Sequence, residues 1–435
     1  MMSTSGTALR PTVLDRVLHD YRAVADSLPG DAQAHAARAR AAGLLADVGW
    51  PSVRDEHWRY ANLRAFERLQ AYRPAASPDQ DAAATLAALQ GSGALPPLVP
   101  GFERLIFLDG VQVGGEPGRQ PLAGSREAAE WCWPAELRLG LLCDMFASGA
   151  AQLQVRGEAR IEVLFLTSPG AAGGAVYPRL QLQLAPDSHL QLIERHLGAA
   201  EAAALVACNV TIDIGAGAKL RHYRLQQCSR ETAFSDTLWA RLAAQAHYSV
   251  CAMSLGAGTA RTSARVQLNG RGAALDWQAI AAGRGEQVQD TALRVEHAAA
   301  DTRTAEVFRG IAEERARLAF SGHIHIAATA PGSQARQSLR GLIEGEGAEI
   351  DLRPHLEINT DEVRASHGAT TGRLDENLLF YLLARGIDRH SARGLLKWAF
   401  LGDVLREIAL PYLRAQAERA AAGQLQDVPS MEEPA

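Results

Sequence analysis

Histidine offers the clearest chemistry in this chain. His367 lies in the run Arg364-Ala-Ser-His-Gly-Ala-Thr-Thr-Gly372, a small-residue stretch between a strand-rich region and a strongly patterned helix. An imidazole in such a loop can ligate a metal, carry a proton or order the loop by hydrogen-bonding backbone. His323-Ile-His325 puts two imidazoles on one strand face, where they could share a metal ion, but two ligands do not complete a site. His189, His196, His222 and His247 fall on separate strand units and read as solvent-facing or internally satisfied rather than as a cluster. The five cysteines, Cys132, Cys143, Cys208, Cys228 and Cys251, form no C-x-x-C pair and are odd in number. That pattern argues against a disulfide-stapled fold, a zinc ribbon or a permanent iron–sulfur cluster. Cys143 and Cys208, set among Leu, Ala and Val, read as small buried hydrophobes.

The familiar catalytic loops are missing. There is no G-x-x-x-x-G-K-[ST], no G-x-G-x-x-G between a strand and a helix, and no G-x-S-x-G elbow. Gly215-Ala-Gly-Ala-Lys219 has a phosphate-loop flavour, but its spacing is wrong and no helix follows, so it reads as a turn. With 435 residues, 47% apolar, 21% charged and a net charge of -5, the chain is long enough for a large core. It lacks the basic excess of a nucleic-acid or anionic-membrane binder. No signal-peptide pattern and no membrane-length apolar run is read, and a cytoplasmic setting is expected.

Three regions must position these residues. Residues 1–100 are expected to be helical, with Leu14, Val17, Leu18, Tyr21, Val24 and Leu28 on one face and a second helix from Ala34 to Val48. Trp58 and Tyr60 are expected to anchor an aromatic segment by packing, and Gly91 to Gly101 reads as a linker. Residues 101–358 are expected to be β-rich. They open with a hairpin at Asp109-Gly110 and a helix over Ala128 to Ala150, interrupted at Pro134. A turn-plus-strand unit then recurs, with Leu190, Leu220, Tyr248 and Leu275 separated by 30, 28 and 27 residues. Such a fixed step without intervening helices indicates a β-solenoid, with a large β-sandwich as the competing architecture and an irregular stretch between about 290 and 340. Residues 359–435 return to helix. Asp375 is a candidate N-cap, Leu378, Leu379, Leu382 and Leu383 form one face, and Gly386 is a C′ glycine. A second helix starts near Asp388 or Ser391 and ends before Pro411, and the Ala-rich tail from Ala415 is expected to fray. Trp398 and Phe400 face different sides, one packing on the chain and the other free for a partner.

The run from Pro354 to Ile387, with Ser366-His-Gly-Ala-Thr370, Leu379-Phe-Tyr-Leu382 and Ala384-Arg-Gly-Ile387, resembles the C-terminal signature of the SufB/SufD family of iron–sulfur cluster assembly proteins. Ser333-Gln-Ala-Arg-Gln-Ser-Leu-Arg340 is similar to the family's approach to that signature, and Trp58-Arg-Tyr-Ala-Asn-Leu63 resembles the aromatic N-terminal motif of its SufD branch. The resemblance implies a right-handed parallel β-helix flanked by helical regions. It implies a non-catalytic scaffold that pairs with SufB through the β-helix and docks the SufC ATPase on its C-terminal helices. Sulfur would arrive from a SufE/SufS-type donor system through SufB, and the chain could pair with itself when SufB is absent. A transient iron–sulfur cluster would form at the partner interface, with none held permanently by this chain. His367 maps to the family's candidate cluster ligand, while Ala365 stands where many relatives carry Cys. Asp375, Phe380, Tyr381, Arg385, Trp398 and Phe400 become candidate partner-docking residues. The alternatives are a SufB-like paralogue, or a β-helix carbohydrate-active enzyme with its site on a groove along the coils.

Overall fold

The structure, a computed structural model, describes residues 11–69, 71–75, 82–91, 95–115, 133–198 and 204–428. Cys132, most of the linker's centre (residues 92–94) and the first part of the expected 128–150 helix lie outside these residues.

The N-terminal helices begin where polar caps meet apolar periodicity. Thr12 and Asp15 form a reciprocal capping box on the helix Val13–Val24, whose buried face holds Val17 and Tyr21. The Asp31 carboxylate accepts from Ala34 N and starts the helix Ala32–Val48, which stops at Gly49 in the left-handed region (φ 74°). At the hairpin, Asp109 and Gly110 both have positive φ, as a two-residue turn requires, and join the antiparallel strands Glu103–Leu108 and Val111–Gly114. Within the described residues 133–150 the helix is shorter than expected: a single 3₁₀ turn at Ala135–Leu137, then Gly140–Phe146.

From residue 151 onward the chain coils, laying strands alternately into two sheets. One sheet has ten strands and ends at Val363–Gly372; the other has nine and ends at Glu349–Ile358. The sandwich alternative is excluded, because neighbouring coils pair in parallel and without slippage. Leu190, Leu220, Tyr248 and Leu275 are direct ladder partners, all inside the core. A one-residue slip would turn these side chains outward, so burial of the stack holds the register. The stretch that looked irregular is regular. Val288–His297, Arg303–Glu313, Arg317–Ile326 and Ser333–Glu344 continue both ladders. Each repeat carries two strands, one in each sheet. The ladder also runs past 358, the expected end of the core, to Gly372. Gly215 to Lys219 is a solenoid turn, with Gly217 N donating to Ala244 O of the next coil.

Helices clothe both sides. The N-terminal aromatic segment is pinned to the nine-stranded sheet: Trp58 is buried with the Arg261 guanidinium 4.8 Å from its ring centre, Arg353 lies over Tyr60, and Asn62 donates to Thr259. On the ten-stranded sheet, Ile193, Tyr223, Leu225, Met253, Ile280 and Ile311 meet the helices Arg389–Leu405 and Pro411–Gln424. Two expectations fail here. The Ala-rich tail is a packed helix that buries Leu413, Ala417 and Ala421, four residues apart on one face, and Pro411 opens it rather than closing its predecessor. In the linker Val99 is buried and, with Phe102 just beyond it, joins the core beneath these helices. Lys397 is buried in this layer, bound to Glu313 of the solenoid (2.5 Å) and to Asp427 beyond the last helix (3.1 Å).

Leu220→Ala should lower stability by about 2–5 kcal/mol, because a core position stacked between two ladder partners cannot collapse onto its cavity. Denaturant unfolding followed by circular dichroism measures this. A loss under about 1 kcal/mol would show that the stack is loosely packed.

Candidate functional site

Alternation along the strands decides which side chains enter the solenoid. On the ten-stranded sheet Leu192, Val250, Trp277 and Leu339 point into the core, while Ile193, Cys251 and Leu342, at positions of opposite parity on their strands, point to the helices. The inward column through Leu192 is a ladder of His222, Val250, Trp277, Glu306, Gln337 and finally His367. Polar groups are therefore threaded through the interior.

The first polar group centres on Glu194. Its carboxylate accepts from Arg224 (2.7 Å) and lies 2.7 Å from His196 Nε2 and 2.9 Å from His222 Nε2. Arg224 also donates across the interior to both oxygens of Asp236, at 2.8 and 3.0 Å. Burial pushes the Glu194 carboxyl up, but Arg224 and the two histidines override it and hold it well below its ordinary range. Burial pushes His222 down, so the ring is neutral, and its Nδ1 accepts from the Tyr248 hydroxyl at 3.0 Å. His196 and His222 were expected to be unrelated; the register brings them onto one carboxylate. Cys208 lies 3.8 Å from His196 Nε2, and burial pushes its thiol well up, so it is no thiolate. Cys143, Cys228 and Cys251 are buried with raised thiols too.

The second group sits beneath the open end. Gln337 Nε2 donates to Glu306 Oε2 and to Gly322 O, both at 2.9 Å. Gly322 is required for that approach, since a Cβ there would stand 2.4 Å from the Glu306 oxygen. Burial pushes Glu306 up to about 8, against the Gln337 bond that lowers it. This carboxyl is therefore mostly protonated at neutral pH.

Above Gln337 lies His367. It is not in a loop, as its small neighbours suggested, but on the last strand, Val363–Gly372, paired directly with Gln337. Ala365, His367 and Ala369 continue the inward face of the sheet, yet among the described residues no further coil covers them, and from Arg364 to Gly372 the strand is exposed. The adjacent terminal strand Glu349–Ile358 is the free edge of the other sheet. Two edges with unpaired backbone donors and acceptors thus flank one exposed imidazole.

The next element is the helix Glu376–Leu383. Asp375 caps it by accepting from Asn377 N, and Gly386 closes it with φ 81°. The expected four-leucine face is divided: Leu379 is buried, Leu382 and Leu383 are half-buried, and Leu378 is exposed. Phe380 is 72% exposed and Tyr381 53%, the latter beneath the Arg385 guanidinium. Trp398 and Phe400 both pack against the helix–sheet core, so neither is the free member of the pair that their spacing suggested. Glu194, Arg224, Asp236, Glu306 and Gln337 were not singled out from sequence. The available signal was the step from Trp277 to Glu306, Gln337 and His367, of 29, 31 and 30 residues, which repeats the interval of the hydrophobic stack.

A two-sheet parallel solenoid with helices on both sides and an open last coil defines a β-helical protein rather than a doubly wound or barrel fold. Comparison with known proteins narrows the class. The family described as SUF system FeS cluster assembly, SufBD core domain, matches residues 165–400, and the chain belongs to it. It is 28% identical over 391 residues to the iron–sulfur cluster assembly protein SufD of Escherichia coli, covering 86% of this chain and 88% of that protein. It is 26% identical over 419 residues to a SufBD family protein of Synechocystis, covering 87% and 88%. Against SufD of Bacillus subtilis it is 32% identical over 149 residues, 34% of each chain. Among the described residues no helix is long and apolar enough to cross a membrane.

Glu306 gives the interior a pH signature. Its folded-state pKa lies above the ordinary 4.5, so between about pH 4.5 and 8 the folded chain keeps a proton that the unfolded chain has lost, and stability falls as pH rises. Glu306→Gln should remove that part of the slope, on the order of a few kcal/mol across the window. Melting temperatures at several pH values measure it; identical slopes for both proteins would mean that Glu306 is ionised in the fold.

Proposed function

We propose that this chain is the SufD-like scaffold subunit of an iron–sulfur cluster assembly complex, without a catalytic step of its own. In this reading the open end of the solenoid pairs with SufB, the C-terminal helices dock the SufC ATPase, and a nascent cluster is the cargo handled at the paired ends. Sulfur reaches it from a SufE/SufS-type donor system through SufB, and the complex works in the cytoplasm. The observation that carries the reading is the terminal coil: two parallel strands without outer neighbours, and His367 on the inward face between the polar interior and solvent. An unpaired edge is completed by another strand, as in β-augmentation, and a second solenoid would cover both edges at once. His367 would then be enclosed by the partner, where a neutral imidazole suits iron. Ala365 leaves this strand without a thiol, so the remaining ligands would come from SufB.

The docking half of the proposal rests on the helix Glu376–Leu383. Its sequence is apolar nearly all round, yet only Leu379 is buried. A helix of that kind belongs under a cover, and Leu378, Phe380 and Tyr381 supply the apolar anchors for a partner. The buried Lys397 linkage ties the neighbouring helix to the solenoid, which gives a mechanical route from a docked ATPase to the open end.

Co-expression with SufB and SufC, followed by anaerobic reconstitution, tests the cluster role. His367→Ala should leave the complex intact and lower its iron–sulfur absorbance; full cluster content would remove His367 from the ligand set. For docking, Phe380→Ala with Tyr381→Ala should weaken ATPase binding by about 2 kcal/mol, ~30-fold. Binding equal to the unsubstituted chain would place the ATPase elsewhere.

A further inference from the structure

Two short runs, His323-Ile-His325 and His355-Leu-Glu357, lie one coil apart, and neither is a metal site alone. Parallel pairing of Arg317–Ile326 with Glu349–Ile358 puts His323 beside His355 and His325 beside Glu357. Leu318, Phe320, Ile324 and Ile326 take the inward positions, so these four side chains stand together on the outer face of the nine-stranded sheet. One ligand atom each from His323, His355 and Glu357 falls within a 4.8 Å span. His323 Nε2 lies 3.2 Å from Glu357 Oε2, and His325 Nε2 lies 3.7 Å from Oε1 of the same carboxylate. The His323 and His355 rings are 4.4 Å apart, centre to centre. His323, His355 and Glu357 line a cleft of about 420 Å³ bounded on the other side by Glu56, His57 and Glu136, which leaves space for an ion and its waters.

We propose that His323, His355 and Glu357 form a binding site for a divalent first-row metal ion, zinc or ferrous iron, with His325 beside the carboxylate. Two imidazoles and one carboxylate form a known donor set for both ions when open positions remain for water. Arg294 Nη1 lies 3.1 Å from His323 Nδ1, while its Nε already donates to Glu296 at 3.1 Å. When the ion takes Nε2, His323 carries its proton on Nδ1 and Arg294 shifts its hold to Glu296. The buried trio Glu194, His196 and Cys208 has similar donors, but its carboxylate is committed to Arg224 and its thiol is protonated. The outer site rests on this chain's own side chains and stands apart from the scaffold reading.

The test uses the metal-free full-length chain without partners. Calorimetric titration with zinc, with ferrous iron under anaerobic conditions and with magnesium should show one equivalent of zinc or iron bound. Magnesium should fail to compete, since it favours all-oxygen octahedral sites. Cobalt should report a nitrogen/oxygen site by its ligand-field bands. His355→Ala and Glu357→Gln, both at exposed positions, should keep the circular dichroism spectrum and weaken binding by at least about a hundredfold, beyond what loss of an outer partner causes. His367→Ala should bind as the unsubstituted chain does, so failure at the open end is distinguished from failure here. Absence of stoichiometric binding, or unchanged affinity in both variants, overturns the proposal.

Discussion

Parallel backbone pairing between successive coils is the constraint on which the rest depends. Each coil satisfies its amide and carbonyl groups only by lying on the coil before it and under the coil after it. That arrangement stacks equivalent positions into columns, inside and outside. It also means that the last coil, Glu349–Ile358 with Val363–Gly372, satisfies one side only. The open end is thus a direct consequence of how the fold meets its hydrogen-bonding needs.

The columns explain why polar chemistry can exist inside a core of this kind. A charged side chain entering the interior has inward neighbours at set intervals above and below it, and it tolerates burial where these are complementary. Glu194 and Arg224 are direct ladder partners, and Asp236 reaches Arg224 from the opposite sheet. Such an ion network is weak support for stability, because desolvation offsets much of its attraction, but removing one member would leave a buried charge unpaired. Glu306 lacks a cation and keeps a proton instead. The same column then surfaces at His367, so a polar interior and an exposed imidazole belong to one structural line.

Much of this was legible in the residues. The interval from Leu190 through Leu220 and Tyr248 to Leu275 identified ladder partners correctly, because a solenoid writes its register into its hydrophobic repeat. Asp375 and Asp388 marked helix starts through local hydrogen bonds that need no distant partner. The second strand of each repeat was not legible, since two-sided burial by core and helices erases simple alternation, as Leu205–Ile214 shows with nearly every residue buried. The helix Pro411–Gln424 was missed for a related reason: Ala is small enough to look like a tail until a sheet face lies against it.

By itself, the sequence determined the solenoid, its helical ends, the family signature around His367 and the chemical types on offer. These depend on local propensity and on a repeat interval, both written along the chain. Only the tertiary structure decided which of those groups meet. His196 joins His222 on Glu194, His323 joins His355 and Glu357, and His367 rides above Gln337. The physical reason is register: partners one coil apart are separated by about thirty residues in sequence, and a shift of one residue would send each to the opposite face. Exposure of Phe380 and burial of Leu379 were settled by packing too, on a short helix that lies against the helix Arg389–Leu405.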